Sequence, residues 1–85
     1  HRDRGMERSE IEQRVQKVVA SVLSIEPAEI TLASNFVFDL GADSMKSVEL
    51  IAGFEEEFGL EMDEDQARAV QTVEGAVDFI AHCLP

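Results

Sequence analysis

The chain has 85 residues, 45% of them hydrophobic, which suits one small domain with a modest core and excludes disorder. Its two prolines exclude a proline-rich linker, and its single cysteine excludes an internal disulfide or a cysteine-built zinc site. A net charge of −11 repels nucleic acid and anionic lipid and steers basic protein surfaces toward the chain.

No stretch approaches a membrane span, and no signal-peptide hydrophobic region opens the chain, so a reducing, cytoplasmic setting without membrane insertion is expected. His1–Gly5 reads as a polar tail or remnant, with Met6 a candidate natural start and residues 6–85 the folded domain. The first helix is predicted to begin at Ser9, where Ser9 and Glu12 form an S-x-x-E capping box, and to end near Leu23. Ile11, Val15, Val18, Val19 and Val22 fall on one face of it.

Residues 24–42 then form a long connection punctuated by Pro27, Asn35 and Gly41. Ile25, Ile30, Leu32, Phe36, Val37, Phe38 and Leu40 are enough to pin it onto a core, and so long a connection in a small domain hints at function. A second helix is predicted from about Asp43 to Phe58, closed by Gly59, and a short helical turn around Glu64–Ala69. The last helix starts at Thr72 as N-cap and carries Val73, Ala76, Val77, Ile80, Ala81 and Leu84 at helical spacing. No segment alternates with period two. The fold expected is therefore all-α: a four-helix bundle of three longer helices and one short helix, with a long loop between the first and second helices.

The second helix has two apolar faces. At about 100° per residue, Leu50, Ile51, Phe54 and Phe58 form a core face. Met45, Val48 and Ala52 form another, bordered by Glu49, Glu55 and Glu56. Such a helix is either buried on more than one side or carries a docking strip for a basic groove. The acids favour docking, because carboxylates are costly beside a second buried stripe.

Ser44 stands at the start of this helix, where free N–H groups and the positive dipole end favour a phosphate. Asp43 and Ser44 are equally good plain capping residues. A nucleophilic serine would need a base, and the histidines are His1 and His82, near opposite ends of the chain. The run Gly41-Ala42-Asp43-Ser44-Met45 also lacks the G-x-S-x-G elbow. A self-sufficient hydrolase is thus not supported, whereas a serine modified by another enzyme is.

Phe36-Val37-Phe38-Asp39-Leu40-Gly41-Ala42-Asp43-Ser44-Met45 resembles the attachment motif of acyl carrier proteins, of the form F-x-x-D-L-G-A-D-S-L. Val48-Glu49-Leu50 and Phe54-Glu55-Glu56-Glu57-Phe58-Gly59 resemble that family's second helix, and the likeness runs from about Glu7 to His82. The resemblance implies a non-catalytic carrier. Ser44 would bear 4′-phosphopantetheine, transferred from coenzyme A by a phosphopantetheinyl transferase, and the thiol of the arm would hold an acyl group as a thioester. Asp43 matches the acid that assists the transfer. The helix 44–58 would be the recognition helix, with Met45, Val48, Glu49, Ala52, Glu55 and Glu56 meeting basic surfaces of acyl synthases and acyltransferases. Interior positions matching the family's acyl shelter are Phe36, Leu40, Leu50, Ile51, Phe54, Phe58, Met62, Ala67, Val70, Ala76, Val77 and Ile80. A monomer is expected.

Several residues depart from the pattern. Met45 replaces the usual leucine, and Lys46 stands where many fatty-acid carriers have an acid or neutral residue. Phe38 replaces a common acid and would leave an aromatic exposed. Gly53 interrupts the recognition helix at a cost of about 1 kcal/mol against alanine, and Met62-Asp63 replaces a common Ile-Pro pair. These departures leave open a specialised rather than a housekeeping carrier of fatty-acid, lipid or polyketide-type biosynthesis. The Leu-Gly-Ala-Asp-Ser run argues against a peptidyl carrier. The alternative is an unmodified acidic interaction module docking through the same helix. Asp63-Glu64-Asp65 is not an EF-hand loop, since Arg68 stands at its sixth position where glycine is needed. No resident metal site is assigned. Cys83 and His82 read as ordinary residues of the last helix.

Overall fold

The computed structural model describes residues 7–84; the expected tail His1–Gly5 and the candidate start Met6 lie outside them. The described chain forms α1 (Arg8–Leu23), a single 3₁₀ turn (Pro27–Glu29), α2 (Ser44–Phe58), the short α3 (Glu64–Ala69) and α4 (Val73–Cys83). This is the all-α bundle expected, with the long loop between α1 and α2. None of the described helices is long and apolar enough to cross a membrane.

The helix boundaries follow from local caps, with one correction. Asp43, Asp63 and Thr72 each accept a backbone N–H three residues on and so start α2, α3 and α4. Gly59, at φ 65°, closes α2. The Ser9–Glu12 capping box does not form. α1 starts at Arg8 with Glu7 as N-cap and no side-chain cap, so Ser9 lies within the first turn. The reason is tertiary: the Arg8 guanidinium reaches Glu12 at 3.3 Å, Glu74 at 3.9 Å and Asp78 at 2.6 Å, tying the first turn to α4. The Asp78 bond is the main reason the Arg8 pKa is raised.

The core is an aliphatic seam. Val15 and Val19 of α1 and Val73, Val77 and Ile80 of α4 are fully buried. Leu50, Phe54 and Phe58 of α2 close it from the other side, and Ile30, Phe36 and Ala42 enter from the loop. Full burial of one such side chain contributes roughly 1.5–3 kcal/mol, whereas an exposed ion pair contributes about 0–1 kcal/mol. Burial therefore sets the stability, and the ion pairs set alignment. The expectation that the whole loop would pin onto the core holds for Ile30 and Phe36 and in part for Ile25, Leu32 and Leu40. It fails for Val37 and Phe38, which are 55% and 86% exposed. They sit on a turn fixed by Asn35 and Asp39, from which Phe36 alone enters the core.

The loop gains order by capping α4. Val73 N–H donates to Ser34 O at 3.0 Å and Glu74 N–H to Leu32 O at 2.9 Å, while Gly75 N–H takes the Thr72 hydroxyl and Ala76 N–H the Thr72 carbonyl. The three donors of the first turn of α4, Val73, Glu74 and Gly75, thus have partners outside the helical ladder. Phe36 N–H donates to Gln71 O at 2.9 Å, completing a short antiparallel bridge of Asn35 with Thr72.

Gly53 has a packing reason. A Cβ placed there would lie 2.8 Å from a Val18 methyl, so glycine lets α2 approach α1. The overpacking cost of about 1–3 kcal/mol exceeds the helix gain of about 1 kcal/mol from alanine. Gly53→Ala should therefore lower stability in urea titration, but raise it in a Val18→Ala background, where the obstructing methyl is gone. Stabilisation by Gly53→Ala in the otherwise unchanged protein would contradict this packing.

Candidate functional site

The site is built at the junction of the loop and α2. Asn35 organises the preceding turn: its side-chain carbonyl accepts from Val37 N–H and Phe38 N–H, both at 2.9 Å. Its own N–H donates to the Asp39 carboxylate at 2.7 Å, and its backbone carbonyl accepts from Asp39 and Leu40. Gly41 then takes φ 76°, a conformation open to glycine at no steric cost. Ala42 drops into the core, 2% exposed, and donates to Phe36 O at 2.7 Å. The turn before α2 is thus held by hydrogen bonds from Asn35 to Ala42.

Asp43 caps α2. Its Oδ1 accepts from Lys46 N–H at 2.8 Å, and its carbonyl accepts from Ser47 N–H at 2.9 Å. Ser44 is the first helical residue and is exposed. The N–H groups of Ser44 and Met45 have no intrachain acceptor among the described residues, so two donors and the positive dipole end flank the Ser44 hydroxyl.

A cavity of ≈ 860 Å³ opens beside Ser44. Of the residues expected to shelter an acyl chain, Phe36, Leu50, Ile51, Phe54, Met62, Ala67, Val70 and Ala76 line it. Leu40, Phe58, Val77 and Ile80 do not; Phe58, Val77 and Ile80 belong to the buried core, and Leu40 packs against it. Asn35, Ser47, Arg68, Gln71 and Phe79 also line the cavity and had not been singled out for it from sequence. Phe79 carried a faint signal, being an aromatic on α4 just off the core stripe.

Along α2, Met45 is 71% and Val48 42% exposed, and Ala52, Glu49 and Glu56 are exposed with them. The second apolar stripe is therefore not buried within the described chain. Glu55 departs from the expected rim: it is half-buried, and its carboxylate accepts from Met62 N–H at 2.9 Å, holding the α2–α3 connection. Glu57 turns the other way, to Lys17 at 3.1 Å and Arg14 at 3.6 Å on α1. Lys46 points back to the carbonyl end of α1, 3.4 Å from Val22 O, and pairs with Glu49 at 3.5 Å. Its charge thus complements the α1 dipole. Among the described residues, no cluster of His, Cys, Asp and Glu is arranged to hold a metal ion.

Residues 13–80 match the family described as phosphopantetheine attachment site. The match covers most of the chain and includes the loop, Asp43, Ser44 and α2, so the chain belongs to that family of carrier domains. Its cofactor is 4′-phosphopantetheine, held covalently, and its role is that of a phosphopantetheine carrier.

Asn35→Ala removes the acceptor of two N–H groups in the turn before Ser44. At about 0.5–1.5 kcal/mol for each hydrogen bond, the variant should lose about 1–3 kcal/mol in chemical denaturation. Unchanged stability would show that the turn does not depend on Asn35.

Proposed function

We propose that Ser44 is the attachment residue and that the chain is an acyl carrier. It presents thioester-bound acyl intermediates to synthases and acyltransferases of fatty-acid, lipid or polyketide-type biosynthesis, as a monomer in the cytoplasm. The observation that carries this reading is the exposed Ser44 hydroxyl at the first position of α2, beside two open N–H donors and the mouth of an apolar cavity.

These residues fit the group. A phosphodiester on Ser44 lies within the field of the helix N-terminus, where an anion is favoured. Asp43 spends its carboxylate on the Lys46 N–H, so it fixes the helix start while remaining exposed next to Ser44. When bound, the arm supplies the thiol on which an acyl group is held. The chain supplies the rest: a fixed attachment point, an apolar shelter, and an acid-rimmed stripe at Met45, Val48 and Ala52 with Glu49 and Glu56. Among the described residues the one histidine, His82, is exposed at the far end of α4, so Ser44 has no histidine base of its own. The departures from the family's pattern at Phe38, Met45, Lys46, Gly53 and Met62-Asp63 support service to a specialised pathway.

Intact mass after incubation with coenzyme A and a broad-specificity phosphopantetheinyl transferase tests the assignment. One phosphopantetheine should be added to the protein and none to Ser44→Ala. Folded protein that gains nothing from several transferases would contradict the assignment and favour an unmodified docking module.

A further inference from the structure

The exposed large hydrophobic side chains among the described residues are Val37, Phe38, Met45 and Val48. All four line the cavity that opens beside Ser44. Two come from the loop and two from α2, so they form one patch across the junction, and isolated exposure does not explain it. Phe38 is the extreme member at 86% exposed; it adds almost nothing to the core.

From this patch we infer that Phe38 is the anchor of the docking surface, and that the loop turn 35–40 is its second half beside α2. The occupant is a protein that acts at Ser44, presenting an apolar socket for the phenyl ring within a rim of arginine and lysine. The inference rests on the carrier reading and adds to it a partner-selecting residue outside the helix.

Two further observations support this. The turn is preorganised: Asn35 holds the Val37 and Phe38 N–H groups, and Asp39 holds the Asn35 N–H at 2.7 Å. An aromatic on a rigid turn loses little entropy on binding, and buried aromatics at the centre of an interface dominate its energy. The charges around it select the partner. Asp39, Asp43 and Glu49, on the turn, the helix cap and α2 that carry the patch, are exposed, and Arg68, the one cation on the cavity wall, is already paired with Glu64 at 3.2 Å. A second copy of this chain, at net charge −11, would bring like charges together. A basic partner fits.

The test is the steady-state kinetics of a broad-specificity phosphopantetheinyl transferase on the apo-protein. Phe38→Ala should raise KM about ten-fold or more with kcat nearly unchanged, as expected of an interface anchor. Phe38→Tyr should retain most of the affinity, and Asn35→Ala, which frees the turn but keeps the ring, should raise KM partway. Phe38→Ala should melt with the unsubstituted protein, which separates docking from folding. A KM unchanged by Phe38→Ala overturns the inference; if an octanoyl thioester on the arm then hydrolyses faster in that variant, the ring covers the cargo instead. Wild-type protein that is not modified at Ser44 overturns the carrier reading and this inference together.

Discussion

The structure depends on how its long loop satisfies its own backbone. A segment without regular structure must still find partners for its N–H and C=O groups, or pay for leaving them unmet. Here the carbonyls of Leu32 and Ser34 become the cap of α4, and Asn35 becomes the cap of its own turn. Both ends of the problem are solved at once: α4 gains acceptors for its first donors, and the loop gains a fixed path. Phe36 and Ala42 are then held in the core, Gly41 makes the turn, and Ser44 is delivered to the start of α2. The placement of Ser44 at the start of α2 is thus a consequence of hydrogen bonds formed more than one element away.

Charge is divided in the same economical manner. α1 carries Arg8, Arg14 and Lys17, and these meet Glu74 and Asp78 on α4 and Glu57 on α2. Three of the five basic side chains among the described residues are therefore spent on aligning the bundle. What remains around Ser44 is mainly acidic, with Lys46 turned away to the end of α1 and Arg68 on the cavity wall paired with Glu64. A strong negative field at one face, without a compensating patch beside it, favours fast encounter with basic enzymes and rejects other acidic molecules. Rim charges raise encounter rates more than they deepen binding.

Much of this was legible in the residues. Asp43, Gly59 and Thr72 act locally, so the limits of α2 and the start of α4 could be read from their chemistry. The two stripes of α2 followed from periodicity, and the exposure of Met45 and Val48 shows that the second one is not buried within the described chain. The features that were not legible depend on partners distant in sequence. Arg8 displaces the expected Ser9 cap because Asp78 stands across from it. Glu55 leaves the acidic border of the second stripe because the Met62 N–H needs an acceptor. Gly53 looked like a cost until the Val18 methyl beside it explained it. Phe79 and Arg68 join the cavity wall only once α3 and α4 are folded against α2.

The central claim is that the loop is a built element of the fold rather than a mobile link. Amide hydrogen exchange of the apo-protein tests it most directly. The N–H groups of Phe36, Ala42, Val73 and Glu74 should exchange as slowly as those of the α1 and α4 core, because each is bonded across the loop. Fast exchange at Phe36, Ala42, Val73 and Glu74, with protection kept in α1 and the middle of α4, would show that the loop does not hold Ser44 in place.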